Sequence, residues 1–160
     1  MTEPTNLENA IENPMNFYYG ASTSDWYSGK TTNYNDYLWA DASNNKTPYD
    51  PCPYGWRVPH NQGSTIPWAE ISSGTKMEST YGIIFSGIGY WQAAGQRSNS
   101  NGANYVWSTN TSYSYMGFFW GAAPNGNEAR KFEFYSNGNL SAWQTGMRDL
   151  GFSIRCVKDN

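Results

Sequence analysis

Prolines at positions 51, 53 and 59 punctuate the stretch YDPCPYGWRVP, residues 49–59. Proline fixes φ, removes a backbone donor and pushes the residue before it into extended conformations. No helix can run through this stretch, and its path is extended. The same stretch carries Cys52, one of 2 cysteines in the chain. The other, Cys156, lies in the closing stretch GFSIRCVKDN, residues 151–160. There Phe152, Ile154 and Cys156 alternate with Ser153 and Arg155, and Lys158 follows. That period of two predicts a final strand with its apolar side turned inward. A cysteine on that side is either a small buried hydrophobe or half of a disulfide that ties the chain end to the core.

A chain of 160 residues is long enough to bury a real core, and a single domain over 1–160 is expected. Charged residues make up 14% and aromatics 18%, a balance opposite to that of disordered chains. The formal net charge of −3 gives no electrostatic footprint for nucleic acid. No apolar run is long enough to span a bilayer, so no membrane insertion is expected. The opening TEPTNLENAI lacks the basic start and apolar centre of a signal peptide, and Met1 reads as an addition to an excised domain. A polar complement of Asn, Ser, Thr, Tyr and Gly, with few Lys and Glu, points to an extracellular or cell-surface setting.

Two short helices are predicted. Thr5 and Glu8 have the spacing of a capping box, Leu7, Ala10 and Ile11 form an apolar stripe, and Asn13-Pro14 ends the run. The second starts near Thr65, with Pro67 in its first turn, Trp68 and Ile71 on one face, and Gly74 as its stop. Residues 17–49 read as ordered loop with short strands. The remainder reads as β: YGIIFSG, VWS, MGFFW, KFEFY and NLSAW are short apolar or alternating runs between turn residues. Asn137-Gly138 predicts a two-residue type I′ hairpin, with Phe132 and Phe134 inward and Lys131, Glu133 and Tyr135 outward. The expected class is therefore α+β, two short helices packed on small antiparallel sheets.

Catalysis needs an activated nucleophile or a positioned acid–base pair. The single histidine, His60, sits between Pro59 and Asn61 in a loop, where a surface role is the commoner one. No phosphate-binding loop and no zinc spacing occur. Asp25, Asp36, Asp41 and Asp50 are spread out; Asp36 with Asp41 makes at best a weak oxygen site, and such residues more often form turns. No enzyme activity, cofactor or metal is expected. What the chain does contain, over residues 89–150, is the mixture of Tyr and Trp with Ser, Asn and Gly that makes good contact surfaces. Trp56, Trp107, Phe118, Phe119, Trp120, Phe132 and Phe134 are assigned to the core. Trp91, Tyr113, Tyr115 and Trp143 sit among polar, turn-forming neighbours and are assigned to an exposed face, with Met147 beyond the QTG that follows Trp143.

DPCPYGWRVP and GFSIRCVKD together resemble the Fibrobacter succinogenes major paralogous (FISUMP) domain, which is bracketed by a "CPxGWRVP" segment and a closing "GFSVRCV" strand. YVWSTN at 105–110 is similar to a "YYWSS"-like strand of that family. The resemblance covers 50–157 as the core, with 1–49 as an N-terminal extension packed on it, like those of gut Bacteroidetes versions. HNQGSTIPWAEI departs from the family's "TxxEW" after RVP. The resemblance implies a C-type-lectin-like fold, related in shape to formylglycine-generating enzymes and to variable proteins of diversity-generating retroelements. It implies a Cys52–Cys156 disulfide and a surface or secreted location. By the same resemblance, the positions that vary in retroelement-diversified relatives map to Trp91, Gln92, Ser98, Asn99, Trp143, Gln144, Thr145, Met147, Asp149 and Leu150. The calcium-lectin motifs "EPN", "QPD" and "WND" are absent. The function expected is an adhesin-like, non-enzymatic binding domain on a bacterial surface, with a protein or glycan ligand. The alternative is a structural module of a fimbria or cell envelope.

Overall fold

The computed structural model describes residues 12–13, 15–19, 35–60, 74–77, 81–85, 89–105 and 115–159, with backbone alone at 74–77 and 143. The strands are β1 (Trp56–Arg57), β2 (Gly74–Met77), β3 (Gly82–Phe85), β4 (Gly89–Gln92), β5 (Gln96–Arg97), β6 (Asn104–Tyr105), β7 (Met116–Asn125), β8 (Glu128–Tyr135), β9 (Leu140–Met147) and β10 (Val157–Lys158). They form four small sheets, ordered β1-β10, β2-β3-β4, β5-β6 and β7-β8-β9, with every pairing antiparallel. The expected helices at 5–12 and 65–73 lie outside the described residues, apart from Glu12. The α+β expectation is overturned in what is described, which is β throughout. Gly74, expected to stop a helix, instead opens β2 opposite Phe85. The β-branched pair Ile83-Ile84 then continues the sheet, as such residues do on a pleated surface.

The β7-β8-β9 meander is covered on both faces. On one face Phe119, Phe132 and Phe134 are buried, and Ile83, Phe85 and Trp91 of the β2-β3-β4 sheet pack against them. The rings meet mostly edge to face: Phe85 with Trp91 at 5.7 Å, Trp91 with Phe119 at 4.7 Å and Trp91 with Phe132 at 5.4 Å between centroids. Such geometry sets the positive edge of one ring on the negative face of the next. Gly117, opposite Phe134, is required for this closeness, because a Cβ there would come within 2.2 Å of that ring. On the other face Phe152 stacks on Phe118 and Trp120, at 5.3 and 4.2 Å. Lys131 lies 4.7 Å over Phe118 and pairs with Glu133 at 2.8 Å. Glu133, expected to face water, is consequently buried.

Two local readings change. The β8–β9 connection is a three-residue loop rather than a two-residue type I′ turn. Only Gly138 has positive φ (88°), Gly138 N–H donates to the Tyr135 carbonyl at 3.0 Å, and Tyr135 N–H donates to the Asn139 carbonyl at 2.8 Å. This is the arrangement in which a tight turn is followed by a left-handed glycine. In the closing segment the expected alternation also fails. Ile154 is exposed, whereas the Arg155 guanidinium lies 4.5 Å over the Trp91 ring. A cation above an aromatic face is favourable, and the long Arg stem covers apolar surface on the way.

Cys52 and Cys156 form the disulfide, with Cα atoms 5.8 Å apart and a sequence separation of 104. Around it, β1 pairs with β10, Asp159 N–H donates to the Gly55 carbonyl at 2.9 Å, and Arg57 faces Asp159 at 3.6 Å. Trp56, expected in the core, stands 46% exposed on this two-stranded ribbon.

Reduction of a crosslink closing a loop of this length removes about 4–5 kcal/mol in the chain-entropy picture. Urea unfolding with and without reductant is expected to differ by that amount, and folded, non-reduced protein to show no titratable thiol. Trp91→Ala is expected to cost about 3–5 kcal/mol in the same assay, the range for a large aromatic lost from a packed core. A Trp91→Ala melt equal to the parent's would contradict the core placement.

Candidate functional site: a tryptophan-walled cleft

The site begins with a run of small residues. In β7 the sequence Trp120-Gly121-Ala122-Ala123-Pro124 follows a run of aromatics. Trp120 pairs with Lys131 and Pro124 with Ala129, so β7 has two residues more than β8 over this interval, and the register shifts there. Bulges of this kind bend a strand and re-aim its side chains, and they are among the places where proline is tolerated in a sheet. Next to the wide Trp120, the small side chains of Ala122, Pro124 and Ala129 leave a hollow on the outer face of the meander.

Residues 35–39 roof the hollow. The Asn35 side-chain oxygen accepts the Tyr37 N–H at 3.1 Å, the Thr47 hydroxyl donates to the Leu38 carbonyl, and Thr47 N–H donates to the Trp39 carbonyl at 3.2 Å. Ala40 bridges Lys46 in an antiparallel step. Asp41 caps the turn between them, accepting from the backbone N–H groups of Ser43 and Asn45, both at 2.8 Å, and from the Asn45 amide at 2.9 Å. These bonds, the Asn45 side chain foremost, hold the Asp41 carboxyl below its ordinary pKa. Arg148 fastens roof to sheet. Its Nε donates to the Glu128 carbonyl at 3.2 Å, its Nη2 donates to the Gly126 carbonyl at 2.7 Å, and the same nitrogen pairs with the Asp36 carboxylate.

The result is a cleft of about 150 Å³ lined by Asn35, Asp36, Leu38, Trp39, Trp120, Gly121, Ala122, Pro124, Ala129, Arg148 and Leu150. Two indoles and several aliphatic groups form its walls, and a charge-paired Arg148–Asp36 couple lies at one side. Of the residues assigned from sequence to a contact face, Leu150 alone lines this cleft. Asp36, weighed in the sequence as a weak metal ligand, is here the partner of a guanidinium. Among the described residues no three His, Cys, Asp or Glu side chains gather closely enough to hold a metal ion.

The other assigned residues are dispersed. Trp91 is 1% exposed and belongs to the aromatic core, and Tyr115 is buried with its hydroxyl donating to the Gly82 carbonyl at 3.2 Å. Both had been read as exposed because their sequence neighbours are polar; burial here comes from the facing sheet, which neighbours do not report. Asp149 is buried and accepts from the Asn99 amide at 3.1 Å to each oxygen, and the same amide lies 3.5 Å from the Met147 sulfur. Ser98, also buried, shares a hydrogen bond with Ser100 at 2.9 Å. The structure thus brings Ser98, Asn99, Met147 and Asp149 together, as a clasp in which Met147 alone is exposed, at 43%. Gln92 and Gln144 are exposed, and Thr145 donates its hydroxyl to the Glu128 carboxylate. Trp143 lies on β9, where only its backbone is described, and Tyr113 and Trp107 lie outside the described residues.

Sequence reasoning missed Trp39 and Arg148; Trp120, assigned to the core, is indeed buried at 7% exposure and also borders the cleft. The available signal was the small-residue run GAAP directly after Phe118, Phe119 and Trp120, which marks a step in surface height. Comparison of the chain with protein-family models, with curated proteins and with solved structures finds no match.

His60, next to the fully buried Pro59, is itself half-buried, and its pKa lies below the ordinary 6.5 because burial, and then the nearby Arg57 charge, disfavour the imidazolium. In the unfolded chain the imidazole keeps its ordinary value, so unfolded protein binds the proton more readily. Stability contributed by neutral His60 is therefore complete above about pH 6.5 and declines as pH falls from there toward the folded pKa. NMR titration should place the His60 midpoint below 6.5, and His60→Gln should flatten the stability profile over that window. A midpoint at or above the free value would refute the placement.

Proposed function

We propose that this chain is a non-enzymatic, adhesin-like ligand-binding domain displayed on a bacterial surface, with a protein or glycan as its ligand. The observation that carries the proposal is the Trp39–Trp120 cleft, concave and preformed, mostly apolar, with a few polar groups set on one side. That is the usual make-up of a small-ligand site. The disulfide suits an oxidising, extracellular compartment. The two bracketing motifs that resemble FISUMP domains support the same setting. Gln92, Gln144 and Met147 are the mapped positions that are exposed and free to vary in a retroelement-diversified surface.

The structural-module alternative draws on a different observation. Tyr49, Tyr54 and Trp56, all exposed, belong to the segment that carries the disulfide, where a neighbouring subunit of a fimbria or envelope could pack on them. Self-association of the purified domain, lost in Tyr54→Ala, favours that reading.

Beads coated with the domain are expected to be retained on at least one surface among immobilised mucin-type glycoproteins, plant polysaccharides and extracellular-matrix proteins. Trp39→Ala should reduce retention by roughly 30-fold in apparent affinity, the effect of about 2 kcal/mol from an anchoring aromatic. Its melting temperature should stay close to the parent's. Retention on no surface, or equal retention of parent and variant, would defeat the proposal.

A further inference from the structure

We infer that the cleft holds one uncharged saccharide ring. This rests on the binding reading above and narrows it to a ligand class.

Size comes first. A protein cavity of about 150 Å³ is known to take a single six-membered ring such as benzene, and this cleft is of that volume. The space matches one pyranose ring set in a half-open cleft, and a second sugar would have to lie outside. Shape of the lining comes next. A pyranose has two faces of C–H groups and a rim of hydroxyls. The half-buried Trp39 and the small exposed part of Trp120, 7% of its surface, border the space, and aromatic rings attract positively polarised C–H groups. Leu38, Pro124 and Leu150 complete an apolar wall that no hydroxyl could use.

Charge decides between neutral and acidic sugars. The Arg148 guanidinium is already neutralised by Asp36 and donates to the carbonyls of Gly126 and Glu128. Recruiting it for a uronate or a sialic acid would require breaking that pair and releasing the roof. The cleft therefore carries no net charge that selects an anion. The rim separates sugars from flat aromatic ligands. Asp36 keeps a second carboxylate oxygen, and Asn35 keeps an amide nitrogen beside the oxygen that holds Tyr37 N–H. Hydroxyls donate to a carboxylate and accept from an amide, and hydrogen bonds to a charged group are the stronger kind. A purely aromatic guest would leave both groups facing apolar edges.

Intrinsic tryptophan fluorescence and saturation-transfer NMR on the intact, oxidised domain test this. The probes are free glucose, galactose, mannose, xylose, fucose and their N-acetylamino forms, with glucuronic acid, sialic acid and N-acetyltryptophan amide as competitors of other classes. At least one neutral monosaccharide should bind at millimolar concentration. Trp39→Ala should weaken it at least 10-fold, and Tyr54→Ala, far from the lining residues in sequence, should leave it unchanged. If Trp39→Ala does not fold, Ala129→Leu serves instead, since it fills the hollow from the sheet side and should abolish binding while the thermal melt stays cooperative. Stronger binding of the acidic sugars or of the tryptophan amide overturns the inference. So does bead retention that no free neutral monosaccharide inhibits, which would keep the binding function and make the ligand a protein side chain. Absence of both retention and monosaccharide binding would remove the binding function itself.

Discussion

A single buried carboxylate holds the two ends of the described core in place. Asp50, whose side chain is fully buried, accepts the backbone N–H of Cys52 at 2.8 Å with one oxygen and that of Val58 at 2.9 Å with the other. The segment between is thereby bent around one side chain. Lys46 closes the arrangement from outside, 3.5 Å from the same carboxylate, while its ammonium donates to the carbonyls of Cys52, Pro53 and Trp56. Prolines at 51 and 53 offer no N–H groups of their own, and Lys46 adds donors where the carbonyls of this stretch converge, beside the Trp56 N–H that reaches the Pro53 carbonyl at 3.0 Å. A lysine supplies three. Removing one partner of such a buried pair costs about 3–5 kcal/mol, because the other charge is left uncompensated. With the segment held this way, Cys52 is presented to Cys156 and Pro59 is presented to the sheet.

The second consequence concerns the edge of β7. A ten-residue strand at the border of a three-stranded sheet would offer a row of unpaired groups for association with other chains. Here separate pieces of chain cover it in turn. Gly95 N–H reaches the Met116 carbonyl at 2.9 Å, Ser153 exchanges bonds with Phe118 and Trp120 at 3.0 and 2.9 Å, and Ala122 N–H reaches the Pro59 carbonyl at 2.8 Å. The last of these seizes the bulged stretch that shapes the cleft. Covering the edge and forming the hollow are therefore one structural event, and both depend on the segment folded around Asp50.

How much of this could be read in advance follows from what each signal measures. Phe132 and Phe134 were legible as core because alternation along a strand reports the face directly, while the adjacent Phe118 and Phe119 are buried on opposite faces. The disulfide was legible from the two bracketing motifs that resemble a known family. Trp91 was not, because polar neighbours describe the local turn and not the sheet that will land on it. Arg155 and Ile154 exchanged their expected roles for a related reason: before β10 the closing segment makes isolated bridges at Gly151 and Ser153, so no regular pleat enforces alternation over 152–156, and a cation–aromatic contact with Trp91 could capture the arginine. Asn137 was read through the commonest two-residue turn, yet one added loop residue places only the glycine in the left-handed region. The cleft was the least legible feature. It joins residues 35–39 to residues 120–150, and the Arg148–Asp36 pair that closes it spans 112 positions, beyond any window that periodicity covers.

That long-range closure also bears on why the cleft can be selective. Its roof is short, held to the sheet by one guanidinium and to its own turn by Thr47 and Asp41, and each of these bonds is made before any ligand arrives. A preformed site loses little ordering entropy on binding, so weak contacts with the two indoles count in full. Meanwhile Phe152 packs tilted against Trp120 at 4.2 Å and stacks on Phe118 at 5.3 Å, which ties one wall into the aromatic packing of the sheet. The opposite wall, Trp39, has no such stack among the described residues and is half-buried on a turn. On the proposed reading, the two indoles set the plane of a bound ring, and discrimination among ligands falls to the polar groups of Asn35 and Asp36.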